Sequence, residues 1–407
     1  MGILVQKYGG SSLANAERIR AVAQRVIRSR EGSRPIVVVV SAMGDTTDEL
    51  IELARQLADE PDDRELDLLL STGETISCTL VAMTLQHLGH DAISLTGAQA
   101  GIKTDTSHSR ARIVAVDPTR VHRELAAGRI VVVAGYQGIT EEFDITTLGR
   151  GGSDTTAVAL AAILKADLCE IYTDVDGVYT ADPRIEPRAS KLEEISYEEM
   201  LELAQQGARV MHSRAVELGS MFGVPIVVRS SFNDEPGTLI HGGAAVEVHN
   251  KVRGIAHDSD VAKITVVGVP DRPGIAAALF QALARANISV DVIVQNASIE
   301  GITDLSFTVA RPDLTRAVRL VEPVAREMHA RDVVSSSDLA KVSVVGTGMQ
   351  HAPGYAARMF QALSDHGINI EMITTSEIRI TCLIEQAQVT AAVNALHEAF
   401  QLDRVEI

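Results

Sequence analysis

The sequence predicts an α/β protein with a mainly parallel sheet sandwiched by helices over residues 1–245, followed by two small ferredoxin-like α+β units at 263–337 and 341–407. Three observations predict it. Short, near-continuous β-branched runs alternate with helical patterns, as in parallel sheets covered on both faces. Two glycine-serine clusters, Lys7-Tyr-Gly-Gly-Ser-Ser12 and Arg150-Gly-Gly-Ser-Asp-Thr-Thr156, each follow an apolar stretch and lead into a helix. Finally, the last third of the chain repeats itself.

In order, the first strand is Ile3-Leu4-Val5, then a helix over 16–30, a strand at 36–40 (Ile-Val-Val-Val-Val), and helices over 46–58 and 72–88. A second valine-rich strand at 130–133 precedes a helix over 153–165, a strand at 168–173, helices near 196–206 and 213–221, and a strand at 226–228. In such sheets ligands bind beyond the carboxyl ends of the strands, where both glycine clusters fall. After a polar link over 241–260, Asp271-Arg-Pro-Gly-Ile-Ala-Ala-Ala-Leu-Phe-Gln-Ala-Leu283 matches His351-Ala-Pro-Gly-Tyr-Ala-Ala-Arg-Met-Phe-Gln-Ala-Leu363 at an offset of 80 residues. Each copy reads strand, Pro-Gly turn, helix, strand, strand, helix, the order of a ferredoxin-like unit.

At 407 residues the chain is long enough for two or three domains. A hydrophobic share of 46% with 3% aromatics and no Trp makes aliphatic packing dominant. The formal net charge of −17 argues against nucleic-acid binding, so any phosphate site must be locally basic. Cys78, Cys169 and Cys382 are far apart and form no CxxC pair, so neither a disulfide framework nor a metal site is expected. No apolar run is expected to span a bilayer and no secretion signal opens the chain, so the expected compartment is the cytoplasm.

No Walker-type loop and no Gly-x-Gly-x-x-Gly turn is present, so a nucleotide site must be of another design. Lys7, with Gly9 and Gly10 behind it, can neutralise phosphates and offer unobstructed N–H groups; it also reads as a solvated lysine before an ordinary turn. Thr47 and its neighbours after Ser41 can cap the next helix. Glu74 is expected in the first turn of its helix, either facing the dipole or awaiting a substrate amine. The loop 171–184 mixes acids, hydroxyls, two tyrosines and Arg184; it can hold a nucleoside and its metal, or serve as an Asp-Gly turn. His212 lacks metal-ligand spacing and reads as structural.

The ordered set Lys7-Tyr-Gly-Gly-Ser-Ser, Val40-Ser-Ala-Met-Gly, Gly73-Glu, Gly149-Arg-Gly-Gly-Ser-Asp-Thr-Thr and Thr173-Asp-Val-Asp-Gly-Val-Tyr-Thr-Ala-Asp-Pro-Arg resembles the aspartate kinases of the amino acid kinase family. The C-terminal repeat resembles a tandem of ACT domains. This resemblance implies phosphorylation of L-aspartate by Mg-ATP, with ATP and Mg2+ as cofactors and no resident metal site. It implies nucleotide contacts from Lys7, Tyr8, Gly9, Gly10, Ser41, Thr173, Asp174, Tyr179, Asp182 and Arg184. For aspartate it implies Thr47, Glu74, Arg150, Gly151, Gly152, Ser153 and Asp154, with Lys7, Arg150 and Asp154 as the catalytic set. Asp154 is open between binding the amine, the metal and Lys7.

In the repeats the resemblance implies feedback sites for threonine, lysine or both, built from Asp271, Gly274, Ile275, Ala276, Asp291 and Gln295 in the first copy and Thr375, Ser376 and Glu377 in the second. It further implies a homo-oligomer through the ACT domains, with a shorter regulatory chain as a candidate partner. The competing readings are a kinase for another acceptor and a non-catalytic amino-acid sensor.

Overall fold

The computed structural model describes residues 2–208, 210–242, 252–296, 301–349 and 352–403; the centre of the expected link at 243–251, His351 of the repeat and residues 404–407 lie outside the described residues. The chain forms two compact units. The first comprises Met1–Tyr179, Lys191–Gln205 and Arg209–Val246; the second comprises Thr180–Ser190, Gln206–Ala208 and Glu247–Ile407. Two short excursions from the N-terminal stretch, 180–190 and 206–208, thus belong to the C-terminal unit.

The first unit contains, in order, β1 (Leu4–Tyr8), α1 (Ala16–Ser29), β2 (Ile36–Val40), α2 (Thr46–Leu57), α3 (Asp63–His87), β3 (Ala92–Leu95), β4 (Ile102–Thr104), β5 (Ile113–Val116), α4 (Thr119–Ala126) and β6 (Ile130–Ala134). It continues through β7 (Gln137–Ile139), β8 (Ile145–Thr147), α5 (Gly152–Ile163), β9 (Leu168–Thr173), β10 (Glu194–Ser196), α6 (Tyr197–Gln205), α7 (Ser213–Phe222), β11 (Ile226–Ser230) and β12 (Thr238–His241). Eight strands form one sheet in the order β10-β12-β11-β9-β1-β2-β6-β3, parallel except where β11 meets β12. All five residues of β2 are buried, each apolar side chain contributing about 1.5–3 kcal/mol of transfer free energy. On α1, Ile19, Val22, Ala23 and Val26 form the buried stripe, and Asn15 caps it by accepting the Arg18 N–H at 3.0 Å.

The central position of β1 matters for function. Tyr8 lies beside Val40 and Tyr172, and Val40 beside Ala134, so the loops leaving β1, β2, β6 and β9 emerge side by side. A second sheet, β5-β4-β7-β8, was not expected. Its strands are only three or four residues long, and of the four only β5, Ile113-Val-Ala-Val116, is apolar throughout.

Helix α3 corrects two expectations. It begins at Asp63, so Glu74 stands in mid-helix and not in a first turn. Ser71-Thr72-Gly73 imitates a cap, yet the two hydroxyls bond back to the carbonyls of Leu68 and Leu69, and Gly73 packs where a Cβ would lie 2.9 Å from the Ala42 Cβ. At 25 residues, with a mean hydropathy of 1.4 over its most apolar window, α3 is also long and apolar enough to cross a membrane, contrary to expectation. It carries the buried carboxylates Asp67 and Glu74 and packs Val81, Ala82 and Leu85 into the core of the first unit, as an interior helix does.

The second unit contains β13 (Gly254–Pro270), α8 (Ile275–Arg285), β14 (Val290–Gln295), β15 (Ile302–Ala310), α9 (Leu314–Glu327), β16 (Asp332–Val345), α10 (Tyr355–Asp365), β17 (Met372–Thr375), β18 (Arg379–Glu385) and α11 (Val389–Ala399). Its six strands make one antiparallel sheet, β14-β15-β13-β16-β18-β17. The two repeats are interwoven. Residues 254–258 of β13 pair with 341–345, the opening strand of the second repeat, while 261–270 serve the first. The helices α8 and α9 bury Leu279, Leu283, Ala317 and Val321 in one cluster; α10 and α11 bury Met359, Leu363, Val393 and Leu396 in another.

Candidate active site

At the carboxyl end of β1, the Lys7 ammonium lies 2.7 Å from the Asp154 carboxylate, both side chains about nine-tenths buried. Asp154 is in the first turn of α5, whose N-cap Gly151 has φ +69°, a conformation suited to glycine. A Cβ on Gly151 would lie 2.3 Å from the His212 side chain. The His212 main-chain N–H donates to the other Asp154 oxygen, at 3.3 Å. The Lys7–Asp154 pair fixes the lysine head beside Gly9, where a Cβ would sit 3.5 Å from Nζ.

The glycine loop is held from both sides. Gly44 N–H donates to the Gly10 carbonyl at 3.0 Å, and a Cβ on Gly10 would lie 2.8 Å from the Gly44 oxygen. Ser12 and Ser231 share a 2.8 Å hydroxyl contact, and the Ser231 N–H donates to the Thr173 carbonyl at 2.9 Å, tying the loops after β1, β9 and β11 together. Tyr8 faces away from this mouth: its ring is fully buried, stacked on Tyr172 at 4.7 Å, and burial pushes its hydroxyl well above the ordinary tyrosine pKa.

Glu74 projects from α3 toward the loop after β2. One carboxylate oxygen accepts the Ala42 N–H at 3.2 Å; the other is buried with no hydrogen-bond partner among the described residues. Burial pushes its pKa up to about 7. Beside it, Ser41 N–H donates to the Tyr8 carbonyl and the Ser41 carbonyl accepts from the Ser77 hydroxyl at 2.6 Å. Thr47 lies half-buried in the first turn of α2, and Arg150 is exposed on the loop before α5. Ser153 is buried, its hydroxyl lodged where only Gly135 leaves room, since a Cβ there would come within 2.8 Å.

In the loop after β9, Thr173 donates its hydroxyl to Asp174, and Tyr179 donates to Asp176 at 2.8 Å; burial and that carboxylate raise the Tyr179 pKa to about 12. Lys191, bridged to Tyr179 across an antiparallel pair, lies 3.5 Å from the same Asp176. Asp182 and Arg184 fall in the second unit, where the Arg184 guanidinium grips the Asp182 carboxylate through both oxygens and holds its pKa below the usual range.

Asp271, Gly274, Ile275 and Ala276 form the turn and first residues of α8, with Gly274 at φ +98°. Asp291 and Gln295 lie on edge strand β14; Thr375 ends β17, with Ser376 and Glu377 just beyond. The Asp291 carboxylate, expected in a feedback site, is 2.7 Å from Lys341 of the other repeat, and Lys263 is 3.1 Å from Glu371. Each repeat's opening lysine thus pairs with the other's acid. Asp67, Gly135, Arg214 and Ser231 carry no motif legible in the sequence, because their partners are main-chain atoms or residues remote in the chain.

The model of the amino acid kinase family matches residues 2–230, and the ACT domain model matches 264–323 and 342–400. An aspartokinase of Corynebacterium glutamicum is 52% identical over 407 residues, covering 99% of this chain and 97% of that one; one from Mycolicibacterium smegmatis is 51% identical with the same coverage. The structure of Escherichia coli aspartokinase III with aspartate and ADP matches at a TM-score of 0.82 and 26% identity, covering 98% of this chain and 99% of that one. The lysine and aspartate complex of the same enzyme matches at 0.73 and 25%, with the same coverage.

Proposed function

Because the chain belongs to the amino acid kinase family and carries two ACT repeats, we propose that it is an aspartate kinase, moving the γ-phosphoryl group of ATP onto the side-chain carboxylate of L-aspartate. The product is 4-phospho-L-aspartate, the entry to lysine, threonine, methionine and isoleucine. The observation that carries this reading is the pairing, in one unit, of a buried Lys7–Asp154 couple beside the close-packed Gly9-Gly10 loop with a buried Glu74 oxygen that lacks a partner among the described residues.

Lys7, Gly9 and Gly10 take the phosphates, and the loop from Thr173 to Tyr179 takes the nucleoside. Glu74 takes the aspartate ammonium and Arg150 a carboxylate, with Ser153 and Thr47 nearby. Aspartate's side chain is already ionised at pH 7, so the nucleophile needs no base, and positioning with charge neutralisation carries the rate. In this scheme Asp154 orients Lys7. Bound Mg2+ would supply further neutralisation of the phosphate oxygens, and Asp174 offers it a hard oxygen ligand of the right kind.

We extend the proposal to regulation: lysine, threonine or both bind the ACT repeats, and the chain forms a homo-oligomer through them, open to a shorter regulatory chain. The expected compartment is the cytoplasm. The lysine complex of the Escherichia coli relative supports lysine as one effector. The test is ADP release with aspartate, glutamate, N-acetylglutamate and a nucleoside monophosphate as acceptors. Turnover with aspartate alone is expected; preference for another acceptor overturns the assignment.

A further inference from the structure

The loop that carries Arg150 has no helix or strand of its own, yet an aspartate-binding guanidinium needs a fixed base. Two loops lie against each other here, 105–112 and 148–151. The Ala111 N–H of the first donates to the carbonyl of Thr147, which ends β8 just before the second, at 2.9 Å, and the loops approach closely at Gly149, where a Cβ would lie 3.1 Å from the Ser109 carbonyl oxygen. Gly149 has φ +77°, so glycine is needed there on both counts.

Two charged side chains grip this pair from opposite elements. Asp67, on α3 and fully buried, accepts the Ser109 N–H at 3.0 Å and the His108 ring N–H at 2.9 Å from the first loop, and the Thr147 hydroxyl at the root of the second. Arg214, on α7, donates to the Ala111 carbonyl of the first loop at 3.0 Å and to the Leu148 carbonyl of the second at 2.7 Å. The anion satisfies the donors of both loops and the cation satisfies their acceptors. Arg112, Asp105 and Glu217 are the charged groups near Arg214, and its guanidinium donates to these two carbonyls. Its own N–H is received by the His212 ring at 3.3 Å, and the His212 main chain reaches Asp154.

We propose that Asp67 and Arg214 are positioning residues for the known chemistry: together they clamp the two loops and set where Arg150 presents its guanidinium to the aspartate carboxylate. This rests on the aspartate-kinase reading above. Lysine cannot reproduce the fork, because an ammonium is a point donor while the guanidinium spans two carbonyls.

The experiment is steady-state kinetics of Arg214→Lys, Asp67→Asn and the double variant, with KM for aspartate and for ATP measured separately and the melting temperature recorded. The expected result is a tenfold or greater rise in KM for aspartate with KM for ATP within twofold, and a double variant less impaired than the product of the single effects. If Asp67→Asn does not fold, Arg214→Lys alone carries the test. Both KM values rising together, or an unchanged aspartate KM beside a lowered melting temperature, would reduce the clamp to a stability element and overturn the proposal. A wild-type enzyme without aspartate turnover overturns the functional reading as well; wild-type turnover with no KM split overturns this inference alone.

Discussion

Replacing Glu74 by Gln separates the cost of burying a charge from its use. Raising the Glu74 pKa from an ordinary 4.5 to about 7 corresponds to about 3 kcal/mol against the ionised form. The folded pKa of this acid lies above its unfolded value. Below pH 4.5 both states are protonated and nothing is lost; as pH rises through 7 the unfolded chain ionises first, and stability falls by up to about 3 kcal/mol. Glu74→Gln should therefore match the wild type in stability at pH 4 and exceed it by up to about 3 kcal/mol at pH 8, read by denaturant titration across pH. The same variant should bind aspartate far more weakly, because the ammonium loses its charged partner. With Glu74 holding the ammonium as proposed, aspartate binding would ionise it, so affinity should fall as pH drops below 7, approaching tenfold per unit, with proton release visible by calorimetry in buffers of different ionisation heat. A flat affinity from pH 5.5 to 8 would exclude Glu74 as the partner of the ammonium, and a variant with the wild-type stability profile would exclude a costly buried charge at Glu74.

Lys7→Ala removes the cation beside the glycine loop and should lower kcat by about 10²–10³-fold while threonine and lysine binding, followed by calorimetry, stay intact; full activity would remove Lys7 from the phosphate site. Gly10→Ala brings a Cβ to 2.8 Å from the Gly44 carbonyl oxygen, so the loops must part; a lower melting temperature and a higher KM for ATP are expected. Feedback is a reciprocal coupling: saturating aspartate and a non-hydrolysable ATP analogue should weaken effector binding by the factor with which the effector weakens theirs, about 5–150-fold, and effector affinities indifferent to both would reject regulation through the repeats.

Much of this fold is legible in the residues. The valine runs of β2 and β6 have no reading but buried parallel strands, and the two glycine clusters mark the strand ends where β1 and α5 meet. The internal repeat is visible because the same residues recur around Asp271 and Ala352. Other features are hidden for identifiable reasons. The strands at 102–104, 137–139 and 145–147 are too short to establish a period. The charged start of α3 disguises it, and Ser71-Thr72-Gly73 imitates its cap. The shared strand β13 pairs Gly254 with Val345 and Asp258 with Lys341, far apart in the chain, a pairing that no local pattern encodes. Arg214 bonds to a carbonyl 103 residues away, and a main-chain partner leaves no complementary residue type to search for.

The Lys7–Asp154 couple and Glu74 are proposed to serve one reaction, the phosphorylation of aspartate. Trapping the acyl phosphate with hydroxylamine decides this. With wild-type protein, Mg-ATP and L-aspartate, the prediction is stoichiometric aspartyl hydroxamate against ADP, lost in Lys7→Ala and Glu74→Gln; ADP release without hydroxamate, or hydroxamate undiminished in both variants, would contradict it.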